Sequence, residues 1–109
     1  MATTSPESAA PTMDVRETSV LVRFTPKNVT SEQYNETIRR LRTLGVWPPE
    51  GLDYHVAFGS SGDFRVSEVW DSPQEFEAFA TCLIPVLEDV GIELSEAPEI
   101  VEIHNVVKR

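Results

Sequence analysis

Few side chains in this sequence can move a proton or hold a ligand. Among 109 residues there are two histidines, His55 and His104, and one cysteine, Cys82. An imidazole titrates near neutral pH, so a histidine beside a carboxylate can serve as a general base. The acids that recur in the same strand-like runs are Glu68 and Glu102, together with Arg23, Arg65 and Asn105. These runs should be largely buried, and a buried polar group without a partner is costly. Two arrangements would satisfy them. Glu68 or Glu102 could pair with Arg23 or Arg65 as ordinary cross-strand neighbours. Alternatively, His55 or His104 lines a pocket beside a carboxylate and carries catalysis. No metal is expected: Glu102 and His104 share a strand face, but two ligands are too few for zinc. Cys82 stands among Ala80, Leu83 and Ile84, the setting of a buried, inert thiol.

Aromatic residues could supply the walls of such a pocket. Trp70 closes a strand-like run, Phe76 and Phe79 follow at helical spacing, and Tyr34 and Trp47 belong to an earlier helix and its exit loop. Aromatics at this spacing usually build a core. An apolar pocket tipped with a few polar groups would also suit a planar organic ligand. On that reading Trp70, Tyr34, Phe79, Glu68 and Arg23 contact the substrate.

The elements that must position these residues are legible. Ser19–Phe24 reads as a β-branched strand stopped by Pro26. Thr30 and Gln33 have capping-box spacing, and Tyr34, Ile38, Leu41 and Leu44 continue at helical steps to a stop at Gly45. Tyr54–Phe58 and Phe64–Trp70 form a hairpin around Gly59–Asp63. Ser72, Pro73 and Glu75 then open a second helix, whose apolar stripe runs from Phe76 to Val90. Pro85 falls inside that stripe and should kink or break the helix. A last strand is expected over Glu99–Val107. The order β-α-β-β-α-β specifies an α+β ferredoxin-like fold, with two helices on one face of a four-stranded antiparallel sheet.

Two helices leave the second face of that sheet open. In the first strand Val20, Val22 and Phe24 point one way, while Leu21 shares the other face with Arg23. In the last strand Ile100 and Val101 lie on opposite faces. A sheet with one face in water should alternate more cleanly. A second copy of the chain is the economical cover, which predicts a two-fold homodimer with its sheets face to face.

Composition narrows the partners. Nine Lys+Arg against eighteen Asp+Glu give a net charge of -9. Between Val66 and Val107 there are ten acids and no Lys or Arg. Phosphate recognition needs clustered cations, so neither nucleic acid nor an anionic membrane surface is an expected partner. No apolar run approaches the roughly 20 residues of a membrane span. Residues 1–16 are rich in Ala, Ser, Thr and Pro, lack the pattern of a secretory signal and read as a disordered tail. Residues 17–109 then form a single domain, with a reducing cytoplasm as the expected location.

The layout from Val20 to Val107 resembles the dimeric α/β-barrel superfamily, in particular its antibiotic-biosynthesis-monooxygenase-like and stress-responsive barrel families. The resemblance is carried by Tyr54-His55-Val56-Ala57-Phe58-Gly59, by Val66-Ser67-Glu68-Val69-Trp70-Asp71-Ser72 and by Glu75-Phe76-Glu77-Ala78-Phe79. It implies a homodimer with a small-molecule pocket between helices and sheet. The chemistries it implies include cofactor-independent oxygenation or cyclisation of an aromatic or polyketide-like compound. The haem-degrading branch places an iron-ligating histidine on the helix after the strand-end Trp. Here that position is Ala80, so no cofactor is expected. The fold hosts several chemistries, and a non-catalytic ligand-binding or structural dimeric module is the other function it accommodates.

Overall fold

A computed structural model describes residues 18–109; the expected tail over 1–16 lies outside the described residues. The elements are β1 (Val20–Phe24), α1 (Ser31–Thr43), β2 (Leu52–Phe58), β3 (Arg65–Trp70), α2 (Pro73–Val90) and β4 (Glu99–Glu102). The sheet has four antiparallel strands in the order β2-β3-β1-β4. This is the ferredoxin-like arrangement the element order specifies.

The helix starts follow from local chemistry. Thr30 Oγ1 accepts the Gln33 backbone N–H at 3.1 Å, and the Gln33 side chain accepts the Thr30 N–H at 3.1 Å. This reciprocal box satisfies two donors that a helix otherwise leaves open. Ser72 Oγ accepts the Glu75 N–H at 3.3 Å and donates to the Glu75 carboxylate at 3.0 Å. α1 ends before Gly45, whose φ of 76° is the left-handed conformation glycine adopts without strain.

Two expectations are corrected. A break at Pro85 does not occur: α2 continues as helix from Pro73 to Val90. The buried stripe of Phe76, Phe79, Leu83 and Val86 holds both sides of the proline to the sheet, which outweighs the loss of one backbone hydrogen bond. β4 ends at Glu102 instead of Val107. Glu102 pairs with Val20, the first residue of β1, so the chain beyond it has no β1 residue left to bond.

The core lies between the helices and one face of the sheet. Val20, Val22, Phe24 and Trp70 meet Leu41, Phe76, Phe79, Leu83 and Val86 there. The other face carries Leu21, Tyr54, Val56, Phe58, Val69 and Val101, with Val56 52% and Phe58 43% exposed. Val106, Val107 and Lys108 border part of it, and the Lys108 ammonium lies 5.4 Å from the Tyr54 ring centre. No described helix is long and apolar enough to cross a membrane.

Candidate functional site

A cavity opens between α1, α2 and the helix-side face of the sheet. Its wall is largely carbon, including Phe24, Leu41, Trp47, Phe64, Phe79 and Leu83. Tyr34, His55 and Glu68 are the titratable residues that border it. Strand register brings the latter two together: His55 of β2 is directly opposite Glu68 of β3, on the face that also carries Val22 and Trp70. Tyr34 reaches them from the first turns of α1, a position set by the Thr30 cap.

These groups form one hydrogen-bonded chain. Trp70 Nε1 donates to Glu68 Oε1 at 2.9 Å. His55 Nδ1 is 2.7 Å from Glu68 Oε2, and His55 Nε2 is 2.7 Å from the Tyr34 hydroxyl. Glu68 is 3% and His55 16% exposed at the side chain. An indole can only donate, and a carboxyl is ordinarily a stronger acid than an imidazolium. Proton positions are therefore assigned with Glu68 as the carboxylate accepting from both nitrogens. With His55 neutral, its Nε2 is left as an acceptor and Tyr34 donates to it. Tyr34 is held above the usual phenol range, first by burial and then by the Glu68 charge, with Arg42 opposing. Tyr34 thus stays protonated at neutral pH, and the basic atom of the chain is His55 Nε2. Trp47 packs edge-on against His55 with ring centres 4.9 Å apart, which fixes the imidazole from its other side.

Of the residues expected at a site, Tyr34, His55, Glu68 and Phe79 border the cavity. Trp70 is fully buried behind it, where it packs on Phe76 and Phe79 and holds Glu68. A direct contact between Trp70 and a ligand is therefore replaced by a contact with the carboxylate. Arg23 lies on the opposite face, 3.3 Å from Glu99, so the expected pairing of Arg23 with Glu68 or Glu102 does not form. His104 is exposed beyond the end of β4 and is not part of the wall. Sequence reasoning did not assign Phe64 to the pocket, although it packs 6.1 Å from Tyr34 between ring centres. The signal was its place at the hairpin exit, two residues before Val66 and four before Glu68 on the same strand parity.

No protein-family model matches the sequence, and no curated protein matches it significantly. Solved structures do. The chain is similar to an asparagine-to-alanine variant of SnoaB, a cofactor-independent oxygenase from Streptomyces nogalater. The TM-score is 0.56 at 12% identity, covering 84% of this chain and 96% of that one. It is also similar to a protein assigned as an antibiotic biosynthesis monooxygenase from Chloroflexus aurantiacus. There the TM-score is 0.51 at 19% identity, covering 82% and 97% of the two chains. At these identities the likeness is one of fold: the chain shares the ferredoxin-like architecture of these two structures.

Proposed function

We propose that the chain binds a small aromatic or polyketide-like compound in this cavity and removes a proton from it, as a cofactor-independent monooxygenase. The observation that carries the reading is the Tyr34–His55–Glu68 chain placed against an otherwise apolar wall. A ligand hydroxyl delivered to Tyr34 passes a proton to the Tyr34 oxygen while the Tyr34 proton moves to His55 Nε2. The imidazolium so formed faces the Glu68 carboxylate, which offsets its charge. The electron-rich ligand anion then reacts with dioxygen as co-substrate. One oxygen atom stays on the ligand as a carbonyl and the other leaves as water, so no separate reductant is needed. The fold likeness to SnoaB supports oxygen chemistry, and a cyclase would use the same deprotonation without dioxygen.

The cavity has a volume of about 70 Å³. An engineered apolar cavity of about 150 Å³ accepts benzene. A ring therefore enters here by displacing wall side chains. The open face of the sheet supports a homodimer, since Val56 and Phe58 are large apolar groups left in water. Its single cysteine, Cys82, is free, which supports a reducing, cytoplasmic setting. Aerobic incubation with 1-naphthol tests the oxygenase reading by following quinone absorbance and oxygen uptake. Turnover that falls about a hundredfold or more in His55→Ala is expected. Turnover indifferent to that substitution would sink the reading. A second reading, a non-catalytic ligand-binding module, is favoured by one fact: both His55 nitrogens are already engaged within the protein. It predicts ligand binding with neither oxygen uptake nor ring closure.

A further inference from the structure

The wall of the cavity is asymmetric in charge. Among the described residues its lining includes no Lys or Arg, and the acid on it is Glu68. With His55 in the neutral form assigned above, that carboxylate is met by two neutral donors, the N–H groups of Trp70 and His55. Hydrogen bonds satisfy its lone pairs but leave the net charge in place. In a low-dielectric cavity such a charge acts over several ångströms, because little water screens it. The cation that acts on Tyr34 is Arg42, an exposed residue of the last turn of α1 and not part of the wall.

On this basis, and resting on the reading of the cavity as a ligand site, we propose that the site admits its ligand only as a neutral molecule, and that the charge of Glu68 sets this specificity. An anionic ligand would enter a pocket of its own sign with no cation to receive it. A neutral phenol or enol meets no such penalty, and it is ionised only in place, when its proton has already reached His55. The substrate class is thereby narrowed to uncharged, carboxylate-free compounds with an acidic hydroxyl. Tyr34 is an internal witness to the same field: its phenol sits on this wall and resists ionisation, in part through Glu68.

Phenol, toluene and benzoate share one ring and differ in charge and hydroxyl, so they test the proposal by NMR titration at about pH 7. Phenol should bind on the order of tenfold or more tightly than benzoate. In Glu68→Gln, which keeps an oxygen to accept a hydrogen bond, the gap should shrink to about threefold or less through a gain in benzoate affinity. Benzoate binding as well as phenol to the unaltered protein would overturn the proposal. So would an unchanged gap in a folded Glu68→Gln protein. If that variant does not fold, the unaltered protein still decides: bound phenol should titrate above free phenol, and a value at or below it refutes the idea. Failure of both phenol and toluene to bind removes the cavity reading itself, a result distinct from equal binding of phenol and benzoate.

Discussion

The two faces of the sheet are made from the same strands and treat polar groups in opposite ways. On the helix side, Glu68 and His55 are enclosed by carbon and depend on one another, on Trp70 and on Tyr34. On the open side, Arg23 and Glu99 are each 57% exposed at the side chain and pair across 3.3 Å in water. The first pairing fixes geometry because nothing else can satisfy the groups; the second is worth about 1 kcal/mol at most. The apolar residues reverse the comparison. Val22 and Trp70 are fully enclosed by the helices, whereas Val56 and Phe58 of the edge strand lie half in water. One face is complete within the chain, and the other has the composition of a surface meant to be covered.

The sharpest way to break this contrast is to empty the complete face. Phe79→Ala should cost about 3–5 kcal/mol, measured by denaturant unfolding, because the residue is buried and packs on Trp47 and Trp70. Glu68→Ala should follow at about 2–4 kcal/mol, since it leaves two buried N–H donors without an acceptor. A loss below about 1 kcal/mol there would mean that water replaces the carboxylate. On the open face, Phe58→Glu should change the stability of the folded unit by no more than about 0.5 kcal/mol. Light scattering should nevertheless show the proposed dimer of the unaltered chain reduced to monomer by that substitution. A monomer in both proteins would show that the open face needs no second copy.

The smallest effect belongs to the outer surface of α1. Arg39 and Arg40 hold the Glu36 carboxyl down to about 2 from the ordinary 4.5. A depressed carboxyl contributes stability above its unfolded value and loses it as pH falls from about 4.5 toward 2. Glu36 is partly open to solvent, so Glu36→Gln should lower the melting temperature only slightly at neutral pH, and the difference from the unaltered protein should vanish as pH falls toward 2.

Much of the fold was legible because it is specified locally. Thr30 with Gln33 and Ser72 with Glu75 mark both helix starts, and the parity of Val20, Val22 and Phe24 marks the buried face of β1. The site was legible in its parts only. His55, Glu68, Tyr34 and Phe79 could be picked out by type, but their meeting depends on a register that places His55 opposite Glu68. That register includes an irregularity between Leu52 and Tyr54, which no propensity announces. His104 was drawn into the site by an overlong last strand. The alternation of Val101, Ile103 and Val107 resembles a strand, yet pairing requires a neighbour, and β1 begins too late to provide one past Glu102.

Both tryptophans of the chain belong to the same small region. Trp70 bonds the Glu68 carboxylate through its indole N–H, and Trp47 rests edge-on against the His55 ring. The protein therefore carries its own optical reporters. Any occupant that moves His55 or alters the field of Glu68 changes the emission of one indole or the other, without a label and without turnover. Occupancy of the cavity can be followed by the intrinsic fluorescence of the unmodified chain before any reaction has been assigned to it.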